Sequence, residues 1–279
     1  MKKIKRINLL LKEIKTIKNQ SLTIGLVPTM GALHKGHISL VREAKKISDK
    51  VIVSIFVNPI QFGENEDLSI YPRPIEEDIR KLEKAGADIL FYPDADEMYR
   101  DRTTKVCAEK YASILCGETR KNHFDGVLTV VAKLFNITSP NFAFFGEKDF
   151  QQLFLIRKMV KDLDFNVKII PCPIVREPDM LAMSSRNVYL SKKERSEAPV
   201  IYNTLIYARE LFAKQVKPAE IEKIAKEIIE SNSSGRVEYI KIYESKTLNE
   251  PALESRDCRI FAAVKFGETR LIDNIGAKK

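Results

Sequence analysis

Two of the chain's three histidines, His34 and His37, stand three residues apart around Gly36. At that spacing two imidazole N–H groups can donate to one set of oxygens, and Gly36 removes a Cβ where an anion would approach the backbone. An apolar run, Leu22 to Val27, and then Pro28-Thr-Met-Gly precede them, and an amphipathic stretch from about His37 to Ser48 follows. A turn from strand to helix offers phosphate free backbone N–H groups and the positive end of the helix. Taken alone, H-x-G-H also suits two surface histidines on a loop. A zinc reading lacks a convincing third ligand, and there is no G-x-x-x-x-G-K-[ST] P-loop.

Three more polar segments sit in comparable places. Phe145-Gly-Glu-Lys-Asp149 follows an apolar run and opens a helix. There Lys148 would neutralise a phosphate and Asp149 would accept from ribose hydroxyls, or the segment is simply a turn with an acidic cap. Asn58-Pro-Ile-Gln-Phe62 follows a second strand, where Asn58 and Gln61 suit a neutral polar ligand group or merely end the strand. Met183-Ser-Ser-Arg186 carries two hydroxyls and a guanidinium fork, suited to a polyphosphate or to a polar linker. Each bland alternative stands singly. Their common placement after strands or at a domain junction favours one site.

The elements that must position these residues alternate. Val51 to Val57 is a β-branched run typical of a strand covered on both faces. Pro74 opens a helix with Glu76, Glu77 and Asp78 in its first turn and Gly86 past its end. Ala87 to Tyr92 reads as a strand, Val127 to Ile137 as a helix, Phe142 to Phe145 as a strand, Phe150 to Asp162 as a helix and Val167 to Pro171 as a strand. Such alternation predicts an α/β fold with a doubly wound parallel sheet and ligands at its carboxyl edge. After about Val175 the pattern changes to two helices, Lys192 to Lys214 and Pro218 to Ser231, and strands near Val237 to Tyr243, Arg259 to Phe266 and Thr269 to Ile272. The expected domains are therefore 1–175 and a smaller α+β domain, 176–279. Met1 to Lys18 reads as one amphipathic helix, because lysines interrupt every possible signal-peptide core.

Composition narrows the classes. The 279 residues carry a net charge of +9, with 44% apolar and 30% charged residues. The lysines are dispersed and mixed with glutamates, which describes a solvated surface and not a nucleic-acid stripe. No apolar run approaches the roughly 18 residues a membrane helix needs. The four cysteines form no C-x-x-C pair, so reduced thiols in a cytoplasm are the expectation.

Five segments taken together resemble the pantoate–β-alanine ligase (pantothenate synthetase) family. They are Pro28-Thr-Met-Gly-Ala-Leu-His-Lys-Gly-His37, Phe56-Val-Asn-Pro-Ile-Gln-Phe-Gly63, His123-Phe-Asp-Gly-Val-Leu-Thr-Val-Val131, Phe144-Phe-Gly-Glu-Lys-Asp-Phe-Gln-Gln-Leu153 and Met183-Ser-Ser-Arg-Asn187. The match runs from about Leu22 to Asn187 and returns at Thr269-Arg-Leu-Ile-Asp-Asn274. H-x-G-H by itself marks only a wider nucleotidyltransferase superfamily. The resemblance implies a Rossmann-like domain with a C-terminal lid, a homodimer, ATP as substrate with Mg²⁺, and two half-reactions. Pantoate and ATP give pantoyl adenylate and pyrophosphate, and β-alanine then displaces AMP to give pantothenate.

The resemblance also implies roles. Met30, Gly31, His34, His37, Lys148, Ser184, Ser185 and Arg186 look like phosphate and transition-state residues, the histidines, Lys148, both serines and Arg186 being the catalytic set. Gly146, Glu147, Asp149, Val175 and Met183 look like further nucleotide contacts. Gln61 and Gln152 look like pantoate ligands, with Met30, Asn58 and Phe62 beside them. No residue is assigned to the metal, which is expected to ride mainly on the ATP phosphates. Pro178 and Met180 depart mildly from the family, which would have smaller residues there. A different H-x-G-H nucleotidyltransferase and a nucleic-acid-binding module are the competing readings. The paired glutamines argue against the first and the lack of any binding motif against the second.

Overall fold

The computed structural model describes residues 1–279 with the exception of Asn65 and Leu253. The chain forms two compact units, Met1–Pro173 and Ile174–Lys279.

The first unit contains β1 (Lys2–Ile4), α1 (Ile7–Asn19), β2 (Ile24–Thr29), α2 (Lys35–Ile47), β3 (Lys50–Ile55), α3 (Ile75–Ala85), β4 (Ile89–Phe91), α4 (Ala95–Tyr99), α5 (Cys116–Thr119), α6 (His123–Thr138), β5 (Phe142–Gly146), α7 (Phe150–Asp162) and β6 (Lys168–Cys172). The strands form one sheet in the order β1-β4-β3-β2-β5-β6, and every pairing is parallel. Parallel strands need crossover helices, which cover both faces and explain the nearly unbroken apolar runs. Val27, Val51, Val53, Leu90 and Phe144 pack with Leu40, Val41 and Ala44 of α2 and Ile79 and Leu82 of α3. The alternate strand residues Leu26, Ile52 and Phe91 are equally buried. Helix α6, which packs on β2, α1 and α7, is buried on nearly every side, as a helix with apolar residues on all its faces must be.

This order places a topological switch point at β2. Its neighbours are β3, next in sequence, and β5, which returns on the other side. Loops leaving the carboxyl ends of β2 and β5 diverge there, and such crevices are where open parallel sheets bind ligands.

The second unit begins with a tight hairpin closed by the Arg176–Ala182 bridge. A 3-10 turn (Ser185–Tyr189), α8 (Lys192–Glu197), α9 (Val200–Ala213), α10 (Pro218–Asn232), β7 (Arg236–Glu244), β8 (Asp257–Phe266) and β9 (Thr269–Lys278) follow. The strands make an antiparallel meander, β7-β8-β9. Helix residues Ile201, Leu205, Phe212, Ile221 and Ile229 form one core with sheet residues Ile240, Ile260, Val264 and Phe266.

Three local expectations are corrected. The N-terminal segment is not one helix: Lys2–Ile4 is an edge strand on β4, and α1 starts at Ile7. Three residues are too few to show a period, and edge lysines are what an outer strand carries. The segment 192–214 is two helices, because Pro199 lacks the N–H that would continue the ladder and begins a new helix at Val200. Strand β9 runs past Ile272 to Lys278, through an Asp-Asn pair whose intrinsic preference is against strands.

Candidate active site

The H-x-G-H loop leaves β2 at the switch point. Gly31 takes φ of +85° and Ala32 φ of +50°, so the chain turns sharply before the helix. A Cβ on Gly31 would stand 3.0 Å from Ile55 Cγ2 and 3.2 Å from Asp78 Oδ2. The turn is held from α3. Both oxygens of the buried Asp78 carboxylate accept backbone N–H groups, from Ala32 at 2.8 Å and Leu33 at 2.7 Å. Lys81 Nζ donates to the Leu33 carbonyl at 2.5 Å. The Thr29 hydroxyl accepts from Gly31 N and donates to the Ser54 carbonyl, tying the loop to β3.

The two histidines cap α2 with their own rings. His34 Nδ1 accepts from Gly36 N at 3.1 Å, and His37 Nδ1 accepts from His34 N at 3.3 Å. An Nδ1 that accepts carries no proton, so each neutral ring holds its proton on Nε2. The ring centroids are 4.1 Å apart. Burial, then the Lys148 charge, pushes the pKa of His34 down to about 4. Burial, then His34 and Lys148, holds that of His37 well below its ordinary value. At neutral pH the loop therefore presents two neutral Nε2–H donors.

At the end of β3, Asn58 and Gln61 sit on a short 3-10 turn, Pro59–Gln61. Asn58 is 1% exposed, and its polar atoms are taken up inside the protein. Its Nδ2 donates to Gln61 Oε1 and to the Gly126 carbonyl, each at 3.0 Å, and its Oδ1 accepts from the Tyr99 hydroxyl at 2.8 Å. Gln61 Nε2 donates to Met30 Sδ at 3.1 Å. Phe62 stacks edge-on against Tyr71. Helix α6 presses so closely on this turn that a Cβ at Gly126 would lie 2.4 Å from the Ile60 carbonyl and 2.7 Å from Gln61 Cα.

The third histidine also serves this turn. His123 Nδ1–H donates to the Gln61 carbonyl at 2.8 Å, and its Nε2 accepts from Arg120 Nη1 at 3.0 Å. Arg120 in turn holds Glu66 with two bonds, at 2.9 and 2.5 Å. Burial, then the Arg120 charge, pushes His123 down to about 3. Burial opposes ionisation of Glu66, but its bond to Arg120 outweighs this and keeps the carboxyl below the usual range.

Beyond β5, Glu147–Asp149 forms a 3-10 turn that runs into α7. Gly146, Glu147 and Lys148 are half-buried and Asp149 is exposed. Lys148 Nζ lies 3.8 Å from Asp149 Oδ1. The two consecutive glutamines of α7 divide their work. Gln151 is buried and bonds the backbone of Tyr111, Ile114 and Cys116, while Gln152 is half-buried.

In the second unit the Val175 carbonyl accepts from Met183 N at 3.0 Å. Ser184 Oγ accepts from Arg186 N at 3.2 Å, capping the 3-10 turn. Asn187 Nδ2 ties that turn to the Ala182 carbonyl. Met183 is buried, and Val175, Ser184, Ser185 and Arg186 are half-buried. The hairpin before them is fixed by Arg176, which grips the buried Asp273 at 2.6 and 2.9 Å and stacks on Tyr202.

The first unit thus gathers Met30, Gly31, His34, His37, Asn58, Gln61, Phe62, Gly146, Glu147, Lys148, Asp149 and Gln152 at or just beyond the carboxyl ends of three adjacent strands. The second gathers Val175 and Met183 to Arg186 on one hairpin and turn. Sequence reading missed Asp78, Tyr99, Arg120, Gly126 and His123 as supports. His123 and Gly126 lay within a segment quoted for its resemblance, whereas Asp78 gave only the signal of an acidic first turn.

Comparison with known proteins is consistent from end to end. A family model for pantoate-beta-alanine ligase matches residues 2–276. Pantothenate synthetase of Caldicellulosiruptor bescii is 50% identical over 268 residues, 95% of each chain. That of Clostridium novyi is 50% identical over 98% of each. The crystal structure of pantothenate synthetase from Thermus thermophilus superposes with a TM-score of 0.91 at 41% identity over 99% of each chain. Pantoate-beta-alanine ligase from Francisella tularensis, complexed with beta-gamma ATP and beta-alanine, gives 0.84 at 39% identity over 99% of this chain and 97% of that one.

Proposed function

The chain belongs to the pantoate–β-alanine ligase family, and we infer from that membership that it condenses pantoate with β-alanine in an ATP-dependent reaction. Pantoyl adenylate is the intermediate, and AMP and pyrophosphate are released. The observation that carries the site assignment is the pair of neutral Nε2–H donors at the switch point of the sheet.

The pantoate carboxylate is ionised at neutral pH, so adenylation needs no general base. The work is to hold that carboxylate in line with the α-phosphorus and to stabilise charge on the phosphoryl oxygens. His34 and His37 donate to those oxygens, Lys148 and Arg186 supply positive charge, and Ser184 and Ser185 supply hydroxyls. Gly31, Gly146, Glu147, Asp149, Val175 and Met183 complete the nucleotide contacts. Gln61 and Gln152, with Met30 and Phe62, take pantoate, and Asn58 acts by orienting Gln61. In the second step the neutral β-alanine amine attacks the acyl carbon and AMP leaves. The histidines are poor bases for that amine, since their depressed pKa values make them weak proton acceptors.

Among the described residues no three His, Cys, Asp or Glu side chains converge as a metal site. We propose that Mg²⁺ enters on the nucleotide, as this ion does where phosphates supply most of its ligands. Bound there it would neutralise phosphate charge. We also propose a homodimer working in the cytoplasm. No disulfide joins the four cysteines, and among the described residues no helix is long and apolar enough to cross a membrane.

Pantoate-dependent ATP–pyrophosphate exchange tests this reading, with AMP and pantothenate appearing once β-alanine is added. No exchange with pantoate under Mg²⁺ would overturn it. A nucleotide retained in the product would point to another H-x-G-H transferase. Lys148→Ala should cut the exchange rate by about 10²-fold or more, as loss of one donor to developing charge does, with an unchanged melting temperature. Unaltered turnover would remove Lys148 from the site.

A further inference from the structure

The amide of Gln61 cannot be turned at will. The Gly126 carbonyl accepts one N–H of Asn58, and a carbonyl can only accept. That contact fixes which end of the Asn58 amide is nitrogen. Its Oδ1 must then be the atom facing the Tyr99 hydroxyl, which donates to it. Burial pushes the pKa of this phenol up, so it stays protonated. The remaining N–H of Asn58 meets the oxygen of Gln61. Gln61 is left with its nitrogen on the side away from Asn58, where among the described residues it meets the weakly accepting sulfur of Met30.

We propose that Tyr99 is a positioning residue for the pantoate subsite: by holding Asn58, whose sense the Gly126 carbonyl sets, it helps lock the Gln61 amide so that its nitrogen, not its oxygen, is the end offered to a ligand. The ligand atom that meets Gln61 is therefore an oxygen with a lone pair, on a hydroxyl or a carboxylate. The proposal rests on the reading of Gln61 as a pantoate residue. Tyr99 need not touch substrate. It lies on α4 and packs edge-on against Phe56, with ring centroids 5.7 Å apart.

Tyr99→Phe keeps that ring and removes only the O–H. Asn58 keeps its sense from the Gly126 carbonyl but loses the donor to its buried Oδ1, so the Gln61 amide is held less firmly. Steady-state kinetics of Tyr99→Phe, Gln61→Ala and the double variant test the chain of contacts. The expected result for Tyr99→Phe is a pantoate KM raised about fivefold to tenfold, in line with one lost buried hydrogen bond, with the KM for ATP and the kcat within about twofold, the scatter expected of a site left otherwise intact. In the Gln61→Ala background the same change should have no further effect on pantoate KM. An unchanged pantoate KM in Tyr99→Phe, beside a raised one in Gln61→Ala, overturns the proposal and leaves Gln61 in the subsite. An unchanged KM in Gln61→Ala overturns the reading of Gln61 and the proposal together. Equal rises in both KM values with a lowered melting temperature, or a full effect of Tyr99→Phe without Gln61, assign Tyr99 a structural role and overturn the proposal.

Discussion

A histidine on an exposed loop changes charge near pH 6.5, within the working range of most enzymes. His34 and His37 avoid this by giving one ring nitrogen to the backbone and by lying beside Lys148 in a half-buried turn. Their donor role needs an N–H, not a charge, so activity should not track the ordinary histidine titration. The expected profile of kcat/KM for pantoate is flat from pH 8 through pH 6, its acid limb setting in only as the pH falls toward the His34 value of about 4. A limb centred on 6.5 would show that the rings titrate as exposed ones. The residue types of the site were legible in the sequence, but their protonation was not. It depends on burial, on Asp78 bonding a loop 46 residues away, and on Lys148 arriving from another strand.

At the scale of elements, the hairpin 176–182 shows what backbone Pro178 and Met180 must adopt. The Met180 amide donates to the Glu177 carbonyl at 2.9 Å, closing a turn with Pro178 at its second position, where a fixed φ fits. Met180 follows at φ of +72°, a conformation that disfavours any Cβ. Pro178 is thus compatible with the turn and Met180 is strained. Met180→Gly should stabilise the protein by about 1 kcal/mol, the cost of a left-handed non-glycine residue, measured by chemical denaturation. A loss of stability would show that contacts of the Met180 side chain outweigh the strain. The expected elements came from periodicity and caps, and they failed where a proline or a short edge decided the outcome. Pro199 divides α8 from α9, and Ser191 caps α8 by a reciprocal bond with Glu194.

Across the whole molecule the histidines link folding to pH. In the unfolded chain each binds its proton near 6.5, whereas native His34 does so near 4 and His123 near 3. Between those values the unfolded state holds more protons, so stability rises with pH and is complete above about 6.5. Each such group adds a slope of about 1.4 kcal/mol per pH unit inside its window. The melting temperature should already fall between pH 6.5 and 5, above the range in which carboxylates lose their pairs. A flat melting temperature across that window would mean that the native histidines titrate normally. Apart from lysines close to the rings, such as Lys148, the charge of +9 is spread over a solvated surface, with exposed pairs such as Lys46–Glu43 that contribute little to stability.

The sequence by itself determined the parallel α/β class, the family, and the kinds of side chain at each strand end. Those are carried by local periodicity and by motifs a few residues long. Only the tertiary structure decided which nitrogen of His34 and His37 carries the proton, which way the Gln61 amide faces, and which buried groups hold the loops. Asp78 with Ala32, Tyr99 with Asn58, His123 with Gln61 and Arg176 with Asp273 meet across 46, 41, 62 and 97 residues. A pairing over such a distance leaves no periodic trace in one chain, because its strength comes from burial and geometry that exist only after the sheet has assembled.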